Sequence, residues 1–501
     1  MGKFKVIVSG VSWTIINNIF SIVYGIISVP FLIHYFGKEQ YGLIGIALSA
    51  NIYLQLLDMG MTNANVRYFS EYLAKKDKER TQTLFGLTYF IYFIIGLINT
   101  LVLFVVAFFV EDIFKISPDQ VSVLRNLMLI LALNSTFSWI SVCFDQFLRA
   151  NELIDWLKKF STLLKGVQFV CLFLTIALHF SIELYFFCNI FALTIILPCA
   201  YAKTRRITPW LSIRPRFSKE MLMVILPYAL SIFSFSIFQF FAFNSRPLLL
   251  GMLSGPSPVA DFNIMNTIAT VVTVLSGSFM QVLLPIMTKM KVNNDHEKIS
   301  VIINSGTKYV CILLSMVIFL LILTNKEILS IYVGKEYLFL SPWITLWLAT
   351  LLLSHRNVMT SLVFTETKLK SISIMGFIAM SVAFIIYFVL IPKYGVGGCV
   401  IGFTLHELIH TVFYYFYFFP VKFHINSLRI FSKSVLPVWI TYLAICIATA
   451  YGLSGIVDSD LIAAIIKGAV FGVAAIIATW FILLNRKDKD MILSHLPFNK
   501  K

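Results

Sequence analysis

The chain has 501 residues, of which 59% are apolar and only 13% charged. Forty Lys and Arg against 24 Asp and Glu leave a net charge of +16, and mean hydropathy is +0.86. A soluble globule needs more polar surface than this chain holds, so a soluble enzyme, a nucleic-acid binder and a disulfide-built secreted domain are all poor readings.

A spanning helix needs roughly 20 mostly apolar residues. About fourteen stretches qualify, near 11–35, 41–66, 83–110, 124–147, 160–180, 184–202, 222–252, 259–287, 302–324, 341–364, 371–391, 395–418, 435–453 and 460–484. The first is too long for a signal-peptide core, and no small-residue cleavage site follows it. Val6 stands where myristoylation at Gly2 would need Ser or Thr. The seven cysteines all lie in apolar runs without metal-ligand spacing and read as packing.

The positive-inside rule orients these spans. With the N-terminus cytoplasmic, 28 of the 40 Lys and Arg fall in inside segments; five, Lys38, Lys115, Lys326, Lys335 and Lys393, fall in outside turns. This predicts an even span count and both termini cytoplasmic. It also accounts for the basic excess without nucleic acid, and gives membrane lipids as partners. Of the basic residues inside spans, Arg67, Lys165 and Lys308 are expected to snorkel. Lys467 is expected to lie away from any cavity, and Arg149 to pair with Asp145 at i,i+4.

Polar stripes at helical spacing mark faces turned to a neighbour or to water. Span 1 has Asn17, Ser21, Tyr24 and Ser28. Span 2 has Asn51, Gln55, Asp58, Thr62 and Asn65. Span 4 has Asn134, Ser138, Ser141 and Asp145. Span 7 aligns Ser236, Gln239 and Arg246; span 8 aligns Asn266, Thr270 and Thr273; span 10 aligns Thr350, Ser354, Asn357 and Ser361. In spans 4 and 10 the stripe reads equally well as interhelical glue. In spans 1, 2, 7 and 8 the amides and charges point to a wet cavity.

Span 1 ends in Pro30 to Gly37, and span 7 ends in Pro247 to Gly255, 217 residues later counted from proline to proline. Each is followed by a striped helix. An interval of six spans is even, so the two halves run in the same sense, as a parallel repeat. The fold class is therefore an all-α polytopic membrane protein with two pseudo-symmetric six-helix lobes and two further C-terminal helices. The expected boundaries are 1–203 for the N-lobe, 204–420 for the C-lobe and 421–501 for the last two spans and tail.

Three short segments resemble the N-terminal signature of Wzx-type polysaccharide-repeat flippases, in the multidrug/oligosaccharidyl-lipid/polysaccharide exporter superfamily. They are Phe36-Gly37-Lys38-Glu39-Gln40-Tyr41-Gly42-Leu43, Leu57-Asp58-Met59-Gly60-Met61 and Arg67-Tyr68-Phe69-Ser70-Glu71-Tyr72. The resemblance implies twelve core helices in two lobes plus two extra ones. It also implies export of an undecaprenyl-pyrophosphate-linked oligosaccharide for O-antigen or capsule-type polymers, with a polysaccharide polymerase as a further partner. Such proteins often carry an acid where this chain reads Asn244-Ser245-Arg246-Pro247.

A transporter of a lipid-linked anion must replace the hydration of the pyrophosphate. The candidate cavity residues are Arg246, Arg356, Gln239, Asn17, Asn51, Gln55 and Asn266. Arg356 reads equally well as the structural partner of Glu407. No Gly-rich phosphate loop is present, so no cofactor is expected; H+ or Na+ are candidate coupling ions, with Asp58 and Glu407 as carriers. A cation-coupled multidrug exporter of the same fold is the rival, although span 1 lacks the acid such exporters use. His406-Glu407-Leu408-Ile409-His410 matches the zinc-protease pattern H-E-x-x-H, but no third ligand is placed by the sequence and a non-enzyme is expected.

Overall fold

The computed structural model describes residues 3–292, 295–363, 370–453, 459–486 and 488–490. Lys368, Lys487, Lys500 and Lys501, counted among the inside cations, lie outside them. Among the described residues all regular structure is helical. Twelve helices among them are long and apolar enough to cross a membrane, and two bent pairs raise the number to fourteen.

In chain order these are α1 (Ser12–Phe36), α2 (Lys38–Asp58 with Met61–Ala74), α3 (Lys78–Phe108), α4 (Pro118–Ala150), α5 (Ile154–Ala177), α6 (Ile182–Ile207) and α7 (Lys219–Ser234 with Ser236–Leu253). They continue as α8 (Pro256–Met280, its helix running on to Val292), α9 (Glu297–Leu323), α10 (Lys335–Val363), α11 (Lys370–Tyr394), α12 (Val396–Phe423), α13 (Ser427–Gly452) and α14 (Asp460–Leu483). Leu101, Ile385 and Phe481 are each more than 60% exposed, with many similar side chains along the helices. Such a surface is an aggregation hazard in water and ordinary in hydrocarbon. The chain is a multi-pass membrane protein.

The helices gather into two compact units, Met1–Ile264 with Ala383–Cys399, and Met265–Val382 with Val400–Lys501. This division falls elsewhere than the boundaries at 203/204 and 420/421 drawn from the sequence, and packing explains why. The start of α7 (Met221, Ile225, Ala229) shares a core with Phe69 of α2, Phe85 of α3 and Phe144 of α4, so it joins the first unit. In the second unit α13 and α14 bury Tyr442 and Phe471 against Cys311 and Phe319 of α9.

The repeat seen in the sequence has a local counterpart within the first unit. Both α1 and α7 carry an internal proline and stop at a left-handed glycine, Gly37 (φ 87°) and Gly255 (φ 88°). Only glycine enters that region without steric cost.

Lys308 departs from its expected snorkelling: its Nζ lies 2.6 Å from Asp488, which also accepts from the Tyr309 hydroxyl at 2.6 Å. Burial raises the Asp488 pKa, yet hydrogen bonds from Lys308, Tyr309 and the Asn485 backbone more than offset it. The carboxyl is held below its ordinary range. Lys467 pairs with Glu327. Lys165 and Arg67 rest over the rings of Tyr24 (5.3 Å) and Tyr228 (4.4 Å).

Close approach of α2 to the start of α8 depends on Gly42. A Cβ there would meet the Pro256 carbonyl oxygen at 2.0 Å. Backbone cannot move aside as a flexible side chain would, so Gly42→Ala should lower the yield of folded protein and its melting temperature. The cost is at least about 1–3 kcal/mol, the usual penalty for overpacking, with Gly42→Val worse. Thermal unfolding of the purified full chain in detergent checks this; an unchanged melting temperature would refute the packing.

Candidate functional site

The Leu57-Asp58-Met59-Gly60 segment breaks α2. Residues Gln55–Asp58 form a tight 3-10 turn, Met59 (φ 47°) and Gly60 (φ 78°) are left-handed, and the two halves meet at 47°. A Cβ on Gly60 would lie 2.4 Å from the Ala229 carbonyl oxygen of α7. The break leaves backbone donors without an i−4 partner. Asp58 supplies one acceptor: the Thr62 N–H donates to its Oδ2 at 3.2 Å, as at a helix cap.

Its other oxygen organises three helices. The Thr62 hydroxyl (2.8 Å) and the buried Tyr92 hydroxyl of α3 (2.6 Å) both donate to Oδ1. The Gln146 amide of α4 donates to Tyr92 Oη at 2.6 Å and to Thr62 Oγ1 at 2.9 Å, and Asn65 donates to Gln146 Oε1 at 3.0 Å. Beside this network lies a pocket of about 420 Å³. Asn51, Gln55, Asp58 and Thr62 of α2 line it, with Asn99 of α3 and Asn134 and Ser138 of α4.

The stripe on span 2 therefore faces a cavity, with one correction. The bend interrupts it, so Asn65 is fully buried against Gln146 instead of lining the pocket. Asn134 and Ser138 on α4, equally read as glue, line the pocket. Sequence reasoning missed Asn99, Tyr92 and Gln146. Thr81, Thr88, Tyr92 and Asn99 recur at spacings of seven, four and seven on one face of α3, a stripe left unread; Gln146 is the immediate neighbour of Asp145 and has no such stripe. Asp145 itself pairs with Arg149 as expected.

Asn17 lies elsewhere. Its amide donates to Ser161 (3.1 Å) and Thr162 (3.2 Å) of α5, while Tyr24 contacts Tyr185 (3.2 Å) and accepts from Asn189 (2.8 Å) of α6. The span 1 stripe holds helices together, in contrast to the expected wet face. On α8, Asn266 is exposed and its carbonyl accepts from Thr270.

Ser236, Gln239 and Arg246 follow the 54° bend in α7. Gln239 is half-buried and Arg246 is 6% exposed. The Arg246 guanidinium sits over the rings of Phe243 (5.6 Å) and Phe262 (5.2 Å), and its Nε donates to the Phe243 carbonyl at 3.1 Å. Next to it, Ser245 hydrogen-bonds Tyr53 of α2.

In the second unit, α10 tightens into a 3-10 turn at Leu352–Arg356. Arg356 Nη2 lies 2.5 Å from Glu407 Oε2, and its Nη1 donates to Thr411 Oγ1 at 2.7 Å and to the Glu407 carbonyl at 3.3 Å. Of the two open readings of Arg356, the geometry selects the ion pair. His406 Nδ1 lies 3.2 Å from the other Glu407 oxygen, and its ring centroid is 4.6 Å from that of His410. Glu407 is thus turned to Arg356 and His406, unlike a protease base facing a metal-bound water. Among the described residues no three His, Cys, Asp or Glu groups converge as a metal-ligand set. The span 10 stripe is glue: Thr350 contacts Thr404 at 2.8 Å and Asn357 donates to Ser276 at 2.7 Å.

Removing one member of a buried ion pair strands a charge and costs about 3–5 kcal/mol. Arg356→Gln or Glu407→Gln alone should therefore lower the melting temperature of the purified chain. The swap of Arg356→Glu with Glu407→Arg should recover part of the loss. A single Arg356→Gln variant of unchanged stability would argue that the pair is not structural.

Residues 7–291 match the family model described as polysaccharide biosynthesis protein, and the chain belongs to that family. No curated protein matches the sequence. In fold the chain is similar to the lipid II flippase MurJ in an inward closed conformation, with TM-score 0.72 and 14% identity, covering 96% of this chain and 100% of that one. It is also similar to an inward-facing multidrug resistance MATE family transporter of the MOP superfamily, with TM-score 0.64, 15% identity and coverage of 83% and 95%. A third similar structure is the MATE multidrug transporter DinF-BH, with TM-score 0.56, 17% identity and coverage of 83% and 96%. These likenesses establish a flippase- and transporter-type fold.

Proposed function

We propose that this chain is a flippase that moves an undecaprenyl-pyrophosphate-linked oligosaccharide repeat unit from the inner to the outer leaflet of the bacterial inner membrane by alternating access. Both termini are read as cytoplasmic from the charge bias, with a polysaccharide polymerase downstream. The observation that carries the reading is the family match over residues 7–291, which spans a polar pocket and a buried cation, Arg246. The lipid-linked substrate named for the flippase of similar fold supports it.

In this reading Arg246 holds the pyrophosphate. Its planar fork binds phosphate oxygens in a bidentate way that an ammonium cannot copy, and the rings of Phe243 and Phe262 fix its orientation. Gln239, Asn51 and Gln55 supply amide groups for sugar hydroxyls. Moving two negative charges outward across about 100 mV releases roughly 4–5 kcal/mol, which drives transport without nucleotide.

Charge-assisted hydrogen bonds contribute about 1.5–3 kcal/mol. Arg246→Ala should therefore cut export by at least about tenfold at equal membrane abundance, and Arg246→Lys should impair it less. Surface polysaccharide measured by gel and immunoblot gives the answer; wild-type levels in the Arg246→Ala strain would overturn the substrate role.

A second reading, a cation-coupled multidrug exporter, is favoured by the Asp58 carboxylate in the pocket. Asp58 is also the candidate site for a coupling proton or Na+. Asp58→Asn keeps shape and the cap acceptor while removing charge. If Asp58 couples transport, the variant should lose the response of export to imposed pH or Na+ gradients. A variant exporting like wild type under every gradient would remove that role, and drug efflux sensitive to Asp58→Asn but not to Arg246→Ala would favour the exporter.

A further inference from the structure

Five basic side chains meet at one end of the second unit. A cavity of about 790 Å³ is lined there by Lys291 from the end of the α8 helix, Lys422 and His424 from the end of α12, and Arg429 and Lys433 from the start of α13. No Asp or Glu lines it among the described residues. Cations gathered around one cavity favour an anion within it.

The walls are built to hold this shape. His424 is left-handed (φ 53°), a conformation that persists in a non-glycine residue only where its surroundings fix it. The Ile425 N–H donates to the Phe419 carbonyl (3.2 Å), Asn426 caps the Arg429 N–H (3.0 Å), and the Ser427 hydroxyl donates to the Tyr415 carbonyl (2.5 Å). Wide π-turns at Tyr414–Phe418 and Phe431–Val435 flank the loop, a backbone form concentrated at functional sites.

The cavity lies where α8 and α12 end and α13 begins, at the side read above as cytoplasmic. The Lys291 ammonium is 5.9 Å from the centre of the Phe423 ring. Tyr417, Val421 and Leu428 on the same helix ends are each about half exposed. Cations beside lipid-facing apolar side chains match an amphiphile with a charged head, as in basic pockets between transmembrane helices that take anionic head groups.

We propose that this cavity binds the phosphate-bearing head group of a lipid, as an anion site separate from Arg246. Two sources share that chemistry: an anionic phospholipid, and the pyrophosphate end of a polyprenyl-linked substrate. Only the second rests on the function proposed above.

Native mass spectrometry of the full chain in detergent distinguishes them. The probes are phosphatidylglycerol, phosphatidylcholine, polyprenyl pyrophosphate and inorganic pyrophosphate. The variant is Lys422→Gln, Arg429→Gln and Lys433→Gln together, and its charge-matched control is Lys75→Gln, Lys76→Gln and Lys78→Gln. The wild type should retain phosphatidylglycerol, polyprenyl pyrophosphate or both over phosphatidylcholine, and retention should fall as salt rises. The triple variant should lose at least about tenfold in apparent affinity, given roughly fivefold per surface cation, while the control keeps it. Retention of polyprenyl pyrophosphate alone identifies the source as substrate, and of phosphatidylglycerol as membrane lipid. Equal retention of phosphatidylcholine, an unaffected triple variant, or inorganic pyrophosphate bound as tightly as the lipids would overturn the proposal. If the triple variant does not fold, Lys422→Gln alone and the salt titration of the wild type decide it. Because the readout is binding, failure of the Arg246 export test leaves this result untouched.

Discussion

Hydrocarbon offers no hydrogen bonds, so every polar group inside a membrane bundle needs a partner within the protein. At the break in α2 the first unit meets that constraint through one carboxylate. The break in α2 releases backbone donors just where Met59 and Gly60 turn left-handed, and Asp58 accepts one of them. The same side chain receives Tyr92 and Thr62, and Gln146 ties both to α4. Without Asp58, hydroxyls on α2 and α3 would lose their acceptor in a low-dielectric interior, where an unmade hydrogen bond costs about 1–3 kcal/mol. The bend, the pocket wall and the packing of α2, α3 and α4 therefore share a single cause. The short motif around Asp58 and Gly60 owes its residue types to that cause whatever the pocket transports.

The second unit meets the constraint differently. Its α10 helix tightens into a 3-10 turn at Leu352–Arg356, and Arg356 reaches both the carboxylate and the backbone carbonyl of Glu407. A charge pair and a backbone acceptor together fill the space that the turn opens. Irregular backbone in both units thus coincides with a carboxylate inside a span, as expected where polar side chains must replace helix hydrogen bonds.

The number of spans was legible because each needs only a long apolar run, and the polar pocket was half legible from the α2 stripe. What stayed hidden follows from geometry. A stripe states an angle on one helix and nothing about what lies opposite. Asn17 looked like a cavity residue, yet it meets Ser161 and Thr162, 144 and 145 residues away. Phase is also lost wherever the helix is not α. At three residues per turn a 3-10 segment advances about 120° per residue instead of 100°. Five such residues put Arg356 far from the face counted along an ideal helix. Likewise the bend at Met59–Gly60 separated Asn65 from the stripe it seemed to end. Tyr92 shares one face of α3 with Thr81, Thr88 and Asn99, a legible stripe that went unread; Gln146 left no such signal, since a lone polar group in an apolar helix is recognisable only by its partner.

Magnitudes separate the two buried arginines. Arg356 can bind a substrate anion only after Glu407 is displaced, and parting a buried pair costs about 3–5 kcal/mol. A new charge-assisted hydrogen bond to phosphate returns about 1.5–3 kcal/mol, so exchange at Arg356 runs uphill or breaks even. Around Arg246 the packing is aromatic. Its guanidinium lies over Phe243 and Phe262, and a cation over an aromatic face gains about 0.5–2 kcal/mol. Its Nε donates from the edge of the guanidinium to the Phe243 carbonyl at 3.1 Å, and phosphate too is bound through that edge. The rings carry no acceptor that an anion would have to displace, whereas the Phe243 carbonyl does. The exchange cost therefore gives α10 a structural part, where Arg356 and Glu407 hold the fold, and leaves the phosphate site proposed on α7 to be decided by its own variants.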